Sequence, residues 1–257
     1  MCQTIKVICD SHMILFNMRF FVDIGSHFGE SIYKALNPEL KFDKIFAYEP
    51  SSIAFQRLSV IKDSRLTVKN IALGAINGNV DLYSSGSLGA TTFIDKKGVS
   101  TSEKERVIVR SATEELQDIL SSGAEVFMKI NCEGGELDIL ENLMASGLIM
   151  KCTHLYVDWD ARKVPSLAKR YSSIRLEMEK LGINLVSSDS LPVSGWKGVE
   201  LWLSRYSVHN VAVFERLQYK TYMFLPFKYR AREILKRYAP TYFITYVEFT
   251  KKIHKRK

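Results

Sequence analysis

The chain has 257 residues, 46% apolar and 25% charged, with 14 Gly and 6 Pro. That is enough apolar residue for the core of one large α/β domain, and it excludes a disordered or fibrous polymer. The formal charge of +8 is lopsided: residues 1–207 hold 24 Lys and Arg against 25 Asp and Glu, whereas residues 208–257 hold 12 against 3. A near-neutral domain with a basic appendage fits this better than a basic nucleic-acid-binding domain. Cys2, Cys9, Cys132 and Cys152 form no C-x-x-C spacing, so reduced thiols are expected rather than a disulfide framework or a zinc site. The apolar stretches Met13–Phe16 and Phe20–Val22 are cut by Asn17, Arg19 and Asp23 long before the ~18 residues of a membrane span accumulate. The first residues lack signal-peptide organisation. The expectation is a cytoplasmic protein without a transmembrane segment.

Strand and helix patterns alternate along residues 20–205, as in a doubly wound sheet. Phe20–Ile24 reads as a buried strand ending at Gly25, and Gly29–Leu36 as a helix closed by Asn37-Pro38. Lys44–Tyr48 is a second strand, ending at Glu49-Pro50. Ser51 or Ser52 caps the next helix, with Ile53, Phe55, Leu58 and Ile61 as its apolar face. Leu66–Val68 starts a third strand, and Asn77-Gly78 has hairpin-turn chemistry before the strand Val80–Tyr83. Residues 84–105 form a long polar loop, which in a compact domain is often functional. Val107–Val109 is a strand, Thr113 caps a helix to Leu120, and Val126–Ile130 is another buried strand. Gly134–Ala145 is amphipathic and ends at Gly147. Leu155–Val157 is a strand, 165–181 a helix, and Ile183–Val186 and Val199–Leu203 are the last strands.

Three constellations carry chemistry. In Val22-Asp23-Ile24-Gly25-Ser26-His27-Phe28-Gly29 a buried strand delivers Asp23 and Gly25 at its carboxyl end. The glycines permit a sharp turn close to a ligand. A buried Asp needs a positive or N–H partner, which a ligand ammonium would supply. Glu49 ends the second strand 24 residues beyond Gly25, where a Rossmann-type sheet places an acid for ribose hydroxyls. The G-x-G-x-x-G of dinucleotide sites is missing, which favours a nucleoside with an amino-acid end and no phosphate. Met128-Lys129-Ile130-Asn131-Cys132-Glu133-Gly134-Gly135-Glu136 is a second strand end rich in polar groups and glycine. Glu136, one turn into the helix, suits the helix dipole, and Glu133, in the turn itself, is the better functional candidate.

The order VDIGSHFGES, FAYEPSS, VKNIALGAINGNVDLY and VFMKINCEGGELDIL resembles the FkbM family of S-adenosylmethionine-dependent methyltransferases over roughly residues 20–146, and more loosely to about 205. The resemblance implies a Rossmann-like class I methyltransferase fold, with a seven-stranded mostly parallel sheet, helices on both faces and an antiparallel last strand. It implies O-methylation, often of sugar or polyketide hydroxyls. The family's methionine-end motif falls on Asp23, Gly25, Ser26, His27 and Gly29, and its ribose acid on Glu49. Pro50, Ser51, Ala72 and Asn131 complete the cofactor-binding set, with Asn70–Leu73 near the adenine. Two positions depart from the family: Asn131 stands where Asp is usual, and Tyr156-Val157-Asp158-Trp159-Asp160 where Glu and His are more frequent.

Methyl transfer to oxygen needs positioning and a proton acceptor. The candidates are Asp158, Glu133 and Lys129. If a divalent metal orients a sugar diol, Glu133, Asp158 and Asp160 are the ligands to test. Residues 208–257 hold 11 of the 29 aromatics, with helices expected over Ala231–Tyr238 and on to Ile253. The extension suits packing on the domain or a partner subunit, or an anionic membrane surface. Single-stranded nucleic acid ranks lower. The domains are then 1–207 and 208–257. The activity expected is O-methylation of a hydroxylated acceptor, a glycan first. The alternatives are a non-catalytic methyltransferase-fold subunit and a nucleic-acid methyltransferase using the basic tail.

Overall fold

The computed structural model describes residues 5–9, 12–16, 18–183, 185–193 and 195–207, the first two segments by backbone alone. All belong to the first of two units into which the chain divides, Met1–Ser207 and Val208–Lys257. The helices expected beyond 207 lie outside the described residues. A hairpin of β1 (Ile5–Cys9) and β2 (His12–Phe16) comes first. The chain continues through β3 (Arg19–Ile24), α1 (Glu30–Ala35), β4 (Lys44–Tyr48), α2 (Ser52–Ser59) and β5 (Leu66–Lys69). Three strands then leave the main sheet: β6 (Ala72–Gly74), β7 (Gly78–Tyr83) and β8 (Lys104–Ser111). The rest is α3 (Ala112–Leu120), β9 (Glu125–Ile130), α4 (Glu136–Ala145), β10 (His154–Val157), α5 (Ala168–Lys180), β11 (Leu185–Ser187) and α6 (Gly195–Ser204).

The main sheet runs β11-β10-β9-β3-β4-β5, and every pairing is parallel. The chain winds outward twice, from β3 to β5 and then from β9 to β11. β3 and β9 meet where the direction reverses, and a crevice opens beyond their carboxyl ends. This is a mixed α/β fold with a parallel sheet flanked by helices, consistent with a Rossmann-like class I methyltransferase. Among the described residues the sheet has six strands rather than seven. The expected antiparallel strand Val199–Leu203 is part of α6, because Val199, Trp202 and Leu203 recur at helical spacing and are the side chains buried. No described helix is long and apolar enough to cross a membrane.

Register places the charges. β3 and β9 are buried along their whole lengths, and alternate residues serve opposite faces. Phe20, Val22 and Ile24 pair with Val126, Met128 and Ile130 and pack under α3, α4 and α5. On the other face Phe21 pairs with Phe127 beneath α1 and α6. That face has an ion pair at each end: Arg19 with Glu125 at 2.8 Å, and Asp23 with Lys129 at 2.8 Å. A slip of either strand by one residue would turn its two charges into the other apolar layer and leave the two on its neighbour unpaired, so the pairs specify register.

Local readings differ at three further places. Ser111, not Thr113, caps α3, its hydroxyl accepting from Glu114 N. Ala54 and Leu58 are the buried residues of α2, while Ile53 is half exposed. Asn77-Gly78 makes no hairpin, because β6 and β7 lie on opposite sides of β8, parallel and antiparallel to it.

Candidate functional site

The turn after β3 is stitched to the end of β4. Gly25 N and Ser26 N donate to Tyr48 O at 3.0 and 3.2 Å. Glu49 accepts from His27 N at 2.7 Å and from Ser51 N at 2.9 Å. Burial holds the Glu49 carboxyl above its ordinary range despite these two donors. A carboxylate has about four acceptor sites, so hydroxyl groups can still bind it. Asn70 fixes the bend by donating to Glu49 O and Pro50 O, each at 2.9 Å. Gly25 has φ +78°, and a Cβ there would sit 1.9 Å from Asn131 O. Its smallness serves the crossing of two backbone turns. His27 at φ 48° and Glu133 at φ 53° are non-glycine residues in the left-handed region, and both line the same cavity. Such strain concentrates at functional sites.

That cavity has a volume of about 800 Å³, within the usual range for ligand sites. Of the expected residues, Gly25, Ser26, His27, Glu49, Pro50, Ser51, Ala72, Asn131, Lys129, Glu133 and Asp158 line it. Asp23 and Gly29 do not. Asp23 is fully buried, and the ammonium facing it is that of Lys129 instead of a ligand. Lys129 also donates to Gly25 O at 2.6 Å. Its nitrogen is thus engaged as a donor at the turn. Gly29 (φ +93°) packs against α2, its Cβ position 2.9 Å from Leu58 Cδ2.

The other half of the cavity is acidic. Glu133 is ion-paired with Lys96, which reaches in from the 84–103 loop and donates to Gly89 O at 3.0 Å. Thr91 Oγ1 donates to Glu133 O at 2.7 Å, so the long loop expected to be functional is pinned over this turn. Asp158 accepts from Ser188 Oγ at 2.7 Å, and burial together with the neighbouring Asp160 raises its pKa. Burial and the adjacent Glu133 raise Asp160, which is ion-paired with Lys163. Each acid thus has a protein partner, and among the described residues no group of three His, Cys, Asp or Glu side chains is placed to hold a metal ion. The expected ligand set of Glu133, Asp158 and Asp160 is therefore not formed. Six carboxylates line the cavity (Glu30, Glu49, Glu133, Asp138, Asp158 and Asp160), against the cations Lys129, Arg162 and Lys163. Cys132 and Cys152 are free thiols.

Sequence reasoning missed Glu136 and the α6 wall. Glu136 is fully buried and accepts from Gly134 N at 2.8 Å and from Ala161 N, tying two loops together. Burial pushes it up to about 7 from an ordinary value of 4.5. A carboxyl raised on folding favours the folded state below its unfolded pKa and gives up that advantage as pH rises through the folded value. At 1.36 kcal/mol per unit the change is on the order of 3 kcal/mol. In urea titrations from pH 4.5 to 7.5, the stability advantage of the native chain over Glu136→Gln should shrink by that order. A constant difference would show that Glu136 does not titrate in this window. Gly195, Trp196 and Val199 of α6 also line the cavity, and only Val199 of these belongs to the strand expected over Val199–Leu203.

No protein-family model matches the chain, and no curated protein matches it. Among solved structures it is similar to methyltransferase FkbM from Methylobacillus flagellatus KT, at 20% identity and a TM-score of 0.41. The similarity covers 65% of this chain and 37% of that one, so the chain spans little more than a third of that protein's length.

Proposed function

We propose that the chain is an S-adenosylmethionine-dependent O-methyltransferase whose acceptor is a hydroxyl group, a glycan hydroxyl first. The observation that carries the reading is that the carboxyl ends of β3 and β4 deliver the Gly25–His27 turn and the Glu49 carboxylate to one cavity. The acidic excess of the lining suits a sulfonium cation. His27 Nε2 and Asn131 Oδ1 are buried polar atoms without a hydrogen-bond partner among the described residues, so both have hydrogen-bonding capacity left for a polar ligand. Glu49 would hold the ribose, and Ile71 and Ala72 the adenine. When bound, the cofactor supplies an electrophilic methyl group.

The chain's own work is then to orient a hydroxyl, exclude water and take its proton. Asp158 is the preferred acceptor, since it is buried, lines the cavity and has a raised pKa. Glu133 is held by Lys96 and Asp160. Asp158→Asn should lower kcat by about 10²–10³-fold with cofactor affinity unchanged. The native rate should climb with pH through a midpoint above the usual aspartate range, since only the ionised form accepts a proton.

Isothermal titration with S-adenosylmethionine and its demethylated product tests the cofactor assignment. Glu49→Gln should weaken both by about 10–100-fold. Unchanged affinity would move the nucleoside elsewhere. A labelled-methyl assay over glycans, RNA and small hydroxylated acceptors then decides the substrate class, and binding without turnover on any of them would mark a non-catalytic subunit.

A further inference from the structure

The strongest unused feature of the cavity is the Asp23–Lys129 pair. Both residues face the α1 side of the sheet at its point of reversal. Asp23 is sealed off, whereas Lys129 lines the cavity with its side chain only 4% exposed. An ammonium has three protons to donate. Among the described residues one goes to Gly25 O at 2.6 Å, and the ion-pair partner Asp23 Oδ1 lies at 2.8 Å. Glu30 and Glu49, both in the lining, lie within Coulomb range of this ammonium. One buried cation thus stands among carboxylates beside the turn that would wrap the amino-acid end of a ligand.

We infer that Lys129 reads the α-carboxylate of the ligand's amino-acid end with a remaining proton, while Asp23 holds the lysine in place. Lys129 is then a binding residue and Asp23 a positioning residue. The surrounding acids disfavour a phosphate dianion at this point and favour a zwitterion, its ammonium turned toward Glu30. The site therefore selects an amino acid attached to a nucleoside, beyond the nucleoside alone. This inference rests on the cofactor reading above, and it makes a prediction of its own sign. In an acidic cavity, removing a ligand's carboxylate makes the ligand more cationic and should tighten binding. A local cation reverses that order.

The test is titration of the full chain with S-adenosylmethionine and with its decarboxylated analogue, which keeps the adenosyl, sulfonium and amine groups. The native protein should prefer the carboxylate form by about tenfold or more. The double variant Asp23→Asn/Lys129→Gln leaves the net charge unchanged and lets two amides hydrogen-bond where the ions met. It should lose the preference or invert it, with cooperative unfolding retained. Equal binding of the two ligands to the native protein overturns the inference but not the cofactor reading, as does a preference that survives in the double variant. Failure of both ligands to bind the native protein overturns the two together.

Discussion

Gly25→Ala should lower the thermal midpoint by about 10 °C and abolish adenosyl binding. Two separate penalties meet at this residue. Its φ of +78° is unfavourable for any side chain, by about 1–2 kcal/mol. The added Cβ would also stand 1.9 Å from Asn131 O, a distance no contact tolerates. That oxygen belongs to backbone and cannot swing aside, since Asn131 N donates to Ile24 O at 3.0 Å. Gly25 N is equally bound, to Tyr48 O. Relief therefore pulls β3 from β9 or from β4, and either movement displaces the N–H of His27 from Glu49. Together the penalties reach about 4 kcal/mol, which for a domain of this size corresponds to about 10 °C. Gly123→Ala is the control. Gly123 has φ +76° with nothing within 4 Å of its Cβ position, so it reports the backbone penalty alone, about 1 kcal/mol. If calorimetry finds the two variants equally stable, the crossing is not what demands glycine at 25.

How far the sequence could be read depended on where the deciding contacts lie along the chain. β4 was expected over Lys44–Tyr48 and is found there, because an apolar run ending in Glu-Pro carries its own boundaries. Glu49 could be placed in the cavity for the same reason. Asp23 could not be assigned a partner, because Lys129 lies on another strand more than a hundred residues away and only the register of β3 against β9 brings them together. A lone buried acid invites a ligand cation, and the protein supplies its own. Glu136 misled differently: an acid in the first turn of a helix suits the dipole, but two loop N–H groups converge on it only after the chain folds. Val199–Leu203 satisfies a period of two and a helical period alike, and the Trp at 202 decides for the helix. The loop over 84–103 announced itself by length and polarity. Its anchor, Lys96 on Glu133, has no local signature.

Lys129→Met should destabilise the domain by about 3–5 kcal/mol at pH 7.5, the usual effect of removing one partner of a buried ion pair. Asp23 is fully buried, so its charge has no route to water once the ammonium is gone. Burial already raises the Asp23 pKa against the opposing pull of Lys129, and the variant removes that pull. The carboxyl then takes up a proton on folding over a wider range of pH. A folded state that binds more protons than the unfolded one loses stability as pH rises. The deficit of the variant should therefore narrow between pH 7.5 and pH 5, where protonated Asp23 can be buried without a counter-charge. Asp23→Asn/Lys129→Gln should recover most of the loss, since neutral partners across the β3–β9 ladder carry no charge to desolvate. Urea denaturation of the three chains at both pH values reads all of this. A deficit independent of pH, with no recovery in the double variant, would mean that the lysine's main contribution is its bond to Gly25 O and its aliphatic packing, with the charge of Asp23 incidental.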